Sequence, residues 1–210
     1  MAIQINGNGT ITGISSGGLP AGSVTTATLA DGAATGSKLG AGSIIQTIQA
    51  IKKDTATGTS YDSYTATGLS ATITPTNSNN KILITAHLYG STGSGGWAGF
   101  RLYKAGSVIT DAISTAYTGS HYNVIDGHRQ NNNWIVFGYN PGDTHEEIDL
   151  YEYTNTYLDT AGGTSAITYD LRGISRETGV TWYINKPRAA DDSDANAAPV
   201  SSITLQEIGV

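Results

Sequence analysis

From residue 44 onward, apolar and polar residues alternate in short stretches. The stretch Lys81-Ile-Leu-Ile-Thr-Ala-His-Leu-Tyr89 is typical, and Leu69–Ile73, Trp97–Tyr103, Ser107–Ile113, Glu147–Tyr153, Ser165–Leu171 and Ser202–Ile208 follow the same rule. Ile44–Ile51, Asn133–Phe137 and Val180–Ile184 are further apolar-rich runs. Successive side chains of a strand point to opposite faces, so alternation marks a strand with one buried and one solvated side. Turn signals separate the stretches: Pro75-Thr-Asn77, Lys104-Ala-Gly106, Asn140-Pro-Gly-Asp143 and Gly162-Gly163. No segment sustains an apolar period of about 3.6 residues. About eight to ten strands over residues 44–210 predict an all-β fold, an antiparallel sandwich of the jelly-roll type.

The first forty-odd residues have a different texture. Residues 15–24 read SSGGLPAGSV, 25–34 TTATLADGAA and 35–44 TGSKLGAGSI, so Leu19, Leu29 and Leu39 recur together with Gly22, Gly32 and Gly42. A repeat unit this short cannot bury its Leu within its own chain and gains stability only by stacking on neighbours. Residues 1–43 therefore predict an extended stalk in which other copies of the chain supply the contacts, with Leu19, Leu29 and Leu39 turned inward. The competing reading is a flexible Gly/Ser/Thr linker, which has no use for a periodic apolar residue. Ahead of the repeats, Ile3 and Ile5 alternate with polar residues and Asn6-Gly7 and Asn8-Gly9 signal turns. That segment suits an arm that attaches the stalk to a larger assembly.

Composition narrows the function. Only 13% of residues are charged, the formal net charge is −6, and 27 residues are Gly. With no basic run, the chain offers little to a nucleic-acid backbone or an anionic membrane. With no Cys, disulfides and thiolate metal sites are excluded. The N-terminus lacks the charged and apolar regions of a signal peptide, and no stretch approaches the roughly 18 apolar residues of a membrane helix.

Candidate chemistry is sparse. His121, His128 and His145 fall in one loop-rich stretch, but their spacing fits no compact zinc motif. Glu146, Glu147, Asp149 and Glu152 cluster on a predicted strand. Glycoside hydrolysis needs two carboxylates at a defined separation, whereas a strand deals these residues to both faces. Asp192-Ser-Asp194-Ala-Asn196 opens like a calcium loop, yet Ala197 stands where Gly is needed and Ile203 where Glu is needed. Gly90-Ser-Thr-Gly-Ser-Gly-Gly96 lacks the Lys of a phosphate-binding loop. The expectation is a protein that is not an enzyme and uses no metal or cofactor. Trp97, Tyr117, His121, Tyr122, Arg129, Asn131, Trp134 and Tyr157 flank the longest loops. Tyr and Trp combine large contact area with a polar tip, so these residues are the expected receptor-binding set.

One resemblance is specific. TGLSATITPTNSNNKILITAHLYG at 67–90, ITYDLRGIS at 167–175, TWYINKP at 181–187 and SSITLQEIGV at 201–210 occur in the order that resembles the terminal domain of tailed-phage fibre proteins. The words TLADGA and SKLGAGS resemble repeats of phage fibre stalks. The resemblance spans roughly residues 15–210. It implies a homotrimer whose jelly-roll head is similar to tumour-necrosis-factor-like trimers, and whose N-terminal arm joins other virion proteins. It further implies a head that binds a glycan or protein of the host surface, on a particle assembled in the host cytoplasm and released by lysis. A capsid decoration protein, or head fibre, is the alternative within the same reading.

Overall fold

The computed structural model describes residues 4–5, 11–12, 39–93, 96–112, 135–138, 150–175, 178–187 and 199–210. The chain divides into two compact units, Met1–Leu39 and Gly40–Val210. In the first, β1 (Gln4–Ile5) pairs antiparallel with β2 (Ile11–Thr12), Gln4 opposite Thr12 and Ile5 opposite Ile11.

The second unit is all-β, with eleven strands among its described residues and one short 3-10 turn at Thr110–Ala112. The strands are β3 (Ile44–Lys52), β4 (Ala56–Gly58), β5 (Thr65–Ile73), β6 (Lys81–Thr92), β7 (Trp97–Lys104), β8 (Ser107–Val108), β9 (Ile135–Gly138), β10 (Tyr151–Thr160), β11 (Ile167–Ser175), β12 (Trp182–Ile184) and β13 (Ser201–Ile208). They form two antiparallel sheets in a curled, sandwich-like arrangement. In the first sheet β3 pairs β13, β13 pairs β6, and β6 pairs β10 on its other side; β12 joins β6 to β4. In the second, β5 pairs β11, β11 pairs β7, and β7 pairs β8 and β9.

Alternation builds the core. On β6, Ile82, Ile84, Ala86 and Leu88 are fully buried, while Leu83, Thr85, His87 and Tyr89 between them are half-exposed. Ile203 and Leu205 of β13 continue that buried layer, and Leu69, Ile73, Phe100, Leu102, Tyr169 and Leu171 of the second sheet pack in the same core. Trp182 closes one end of it. Its ring meets Phe100 edge-on, with centroids 5.8 Å apart. Two glycines make room for the indole: a Cβ on Gly58 would stand 2.3 Å from Trp182 Cζ2, and one on Gly173 would stand 2.7 Å from Phe100 Cε1.

Three polar devices fix the strands. Glu207 of β13 is fully buried, and its carboxylate accepts hydrogen bonds from Asn80 Nδ2 and Gln46 Nε2, both at 2.6 Å, and from the Thr76 amide and hydroxyl. It clasps the β5–β6 turn to β3. Asp159 of β10 accepts from the Tyr169 hydroxyl at 2.7 Å and pairs with Lys104 at 2.8 Å, which ties the two sheets together. Burial first, and the Asp159 contact second, push the Tyr169 hydroxyl pKa up. In β5 a bulge opposes Thr67, Gly68 and Leu69 to the single residue Leu171; Gly68 takes φ +79° there, and Thr67 Oγ1 donates to the Leu171 carbonyl at 2.8 Å.

β12 and β13 lie in one lane along β6. Ile184 is opposite Gly90 and Ser202 is opposite His87. Asn185 and Ser201, sixteen apart in the chain, fill the two positions between. Asn185 adopts φ +58°, its Nδ2 donates to the carbonyls of Lys52 and Asp54, and its backbone N–H donates to the Tyr89 carbonyl.

Three elements depart from the alternation pattern. Ser107–Ile113 reads as a strand, but only Ser107–Val108 pairs, and Thr110–Ala112 turns so that Ile109 and Ala112 reach the core. The strand expected at Glu147–Tyr153 starts at Tyr151 and runs to Thr160. β4 carries only Ala, Thr and Gly and has no apolar signature.

Candidate functional site

Antiparallel register turns the outer face of the first sheet into a grid, because directly opposed residues share a face. One row is Ile51, Ser202, His87 and Thr154; the next is Gln49, Thr204, Thr85 and Thr156; the third is Thr47, Gln206, Leu83 and Leu158. Tyr89 and Glu152 form the row beyond His87. Side-chain bonds run along the rows: Gln49 Nε2 donates to Thr204 Oγ1 at 3.1 Å, and Lys81 Nζ donates to Thr160 Oγ1 at 2.7 Å. This is a threonine-rich face that also carries exposed apolar residues. Leu158 is 52% exposed and Ile51 51%.

Among the described residues, the acid–base pair of this face is His87 with Glu152, Nε2 to Oε1 2.9 Å, outside the alignment of a hydrogen bond. The His87 ring stacks on Tyr89 with centroids 4.9 Å apart. Glu152 also receives the Tyr89 hydroxyl, which raises the Tyr89 pKa. Among the described residues, the pair has no second carboxylate beside it at the separation hydrolysis needs. Among the described residues, no three His, Asp or Glu side chains cluster as a metal ion would require.

The outer face of the second sheet is built differently. Arg101 and Tyr103 project from β7, and Asp170 and Arg172 from β11, with Arg172 directly opposite Arg101 and Asp170 opposite Tyr103. The Arg172 guanidinium lies 4.2 Å from the Tyr103 ring centroid, and that of Arg101 lies 4.4 Å from the ring of Tyr64, just ahead of β5. Burial raises the Tyr64 pKa well above its ordinary value, partly offset by the Arg101 charge.

The residues expected to bind a receptor are distributed as follows. Trp97 opens β7, its backbone opposite Gly138. Tyr157 lies on β10 opposite Ile84, half-buried and packed against the core. Tyr117, His121, Tyr122, Arg129, Asn131 and Trp134 lie outside the described residues, as do His128, His145, Glu146, Glu147, Asp149 and Asp192–Asn196. Of the stalk leucines, Leu39 is exposed, and Leu19 and Leu29 lie outside the described residues. Sequence reasoning did not single out Leu83, Leu158, Tyr64, Arg101, Tyr103 or Arg172. Alternation does place Arg101 with Tyr103, and Asp170 with Arg172, on one face each; only the pairing of β7 with β11 brings the two couples together.

No protein-family model matches the chain, and no curated protein matches it. No described helix is long and apolar enough to cross a membrane.

Proposed function

We propose that this chain is a virion structural protein of a tailed phage, a trimeric fibre whose C-terminal head binds the host surface. Residues 1–43 form the virion-anchoring arm and the period-ten stalk, in which Leu19, Leu29 and Leu39 of three copies pack together. Residues 44–210 form a jelly-roll head. The protein makes and breaks no bond, holds no cofactor, and acts by contact with a host glycan or protein.

The nesting of the strand pairs is the observation that carries this reading. β3 pairs with β13, β5 with β11, β6 with β10 and β7 with β9, so each outer pair encloses the next along the chain. A long antiparallel hairpin rolled up in this way is the jelly-roll plan, the head fold that the resemblance to phage fibres implies. The threonine-rich face bearing Leu83, Leu158 and Ile51 supports self-association. Exposed apolar residues rimmed by Thr and Gln suit a subunit contact, and three heads engaging one surface gain avidity from weak single contacts.

Copy number in purified particles tests the proposal. Quantitative mass spectrometry against the major capsid protein should give a few to a few dozen copies, the stoichiometry of a tail fibre. Hundreds of copies would favour the capsid decoration reading, and absence from the particle would contradict both.

A further inference from the structure

Two guanidinium groups on directly opposed residues are an unfavourable placement. Like charges facing each other across a strand pair destabilise it, and this chain has only 11 Lys and Arg in 210 residues. Arg101 and Arg172 nevertheless stand opposite each other on the outer face of the β5–β11–β7 sheet. Each rests on a tyrosine ring, and the two rings, Tyr64 and Tyr103, are 6.4 Å apart. Asp170 accepts a hydrogen bond from Arg172 Nε at 2.7 Å. The ring beneath and the carboxylate at Nε fix the plane of the guanidinium. Among the described residues, neither Nη group of Arg172 has a hydrogen-bond partner, and the side chain is 30% exposed. A guanidinium held at one edge and open at the other presents the fork that takes an oxyanion through two parallel hydrogen bonds.

We propose that Arg172, with Arg101 beside it, binds a carboxylate or phosphate group of an acidic host-surface glycan, with Tyr64 and Tyr103 supporting the two guanidiniums. This inference rests on the host-attachment reading and supplies its ligand class. It also suits the geometry of a head whose other sheet face is covered by neighbouring copies, because the arginine face is then the sheet face left for the host.

Titration calorimetry of the full chain at low salt tests it with three probes: an oligogalacturonate, a poly(glycerol phosphate) and neutral maltohexaose. Saturable binding of one or both anionic polymers, with none of maltohexaose, is expected, and the anion that binds identifies the source. Arg172→Gln should weaken that binding at least about tenfold, as loss of a charge-assisted pair does, and Arg172→Lys less. Arg101→Gln, which leaves the Asp170–Arg172 pair in place, should act in the same direction and serves if Arg172→Gln fails to fold. Equal binding by folded Arg variants, equal binding of maltohexaose, or no binding of either anion would overturn the site. Attachment of the unmodified chain to host cells, measured in parallel, separates that failure from failure of the attachment reading: cells still bound, with the anion probes refused, count against the site alone.

Discussion

Ser201 Oγ donates a hydrogen bond to Asn185 Oδ1 at 2.6 Å, joining two residues that are neighbours in one strand lane but sixteen apart in the chain. The same hydroxyl accepts from the Tyr89 amide at 3.0 Å, and the Asn185 amide donates to the Tyr89 carbonyl. A side chain thus stands in for a missing ladder bond, and Asn185 and Ser201 are both pinned to the central strand β6. Where β12 and β13 break the lane, backbone donors and acceptors of Tyr89 would be left without ladder partners; here Asn185 and Ser201 satisfy them.

Asn185→Ala should therefore be among the most damaging polar substitutions in the head. It removes two donated bonds and one accepted bond from a buried site, and it puts Ala where φ is positive. A loss of about 2–4 kcal/mol is expected in urea unfolding. Ser201→Ala, which removes one donated and one accepted bond, should cost about 1–3 kcal/mol.

Glu207 should make the head acid-sensitive. Burial pushes its carboxyl pKa up, but the hydrogen bonds from Asn80, Gln46 and Thr76 outweigh burial and hold it below the ordinary 4.5. A depressed folded-state pKa gives stability that is complete above pH 4.5 and is lost as pH falls through the folded value. Thermal melts from neutral to acidic pH should show that loss. In Glu207→Gln the contribution of this site should be lower at neutral pH and flatter, because a Gln amide presents donors where the carboxylate accepted four bonds.

The fit around Trp182 predicts a steric limit. Gly58→Ala and Gly173→Ala would each force the indole or Phe100 to move within a core that has no slack, at about 1–3 kcal/mol or more apiece. Gly163→Ala, whose Cβ would meet nothing within 4 Å, is the matched control and should leave the melting temperature nearly unchanged.

The threonine-rich face gives a prediction about assembly. Leu158→Asp places a charge on a half-exposed position of β10 without touching the core, so the fold should survive. Sedimentation should nevertheless shift toward a smaller species, with Leu83→Asp acting alike from the opposite strand. A variant that assembles as the parent does would remove this face from the interface.

Much of the fold is written in the alternation of single strands. Lys81–Tyr89 and Ser202–Ile208 show their buried sides directly, because every inward position is Ile, Leu, Ala or a carboxylate that the turn satisfies. Single-strand alternation misplaces β10 because its inward residues Tyr151, Asn155, Tyr157 and Asp159 have polar tips, Tyr153 is exposed, and outward Leu158 inverts the pattern. β4 has no large side chain to reveal it. The two sheet faces were not legible for another reason. The row Thr47, Gln206, Leu83 and Leu158 gathers residues from four distant segments, and the cluster of Tyr64, Arg101, Tyr103 and Arg172 from three; only register, which depends on tertiary pairing, assembles them.

The proposed leucine-repeat stalk and the exposed apolar residues of the first sheet both call for further copies of the chain. Light scattering coupled to size exclusion on the full chain tests this most directly. The account predicts a single species of about three times 21.8 kDa, persisting on dilution. A homogeneous species with the mass of one chain would contradict it.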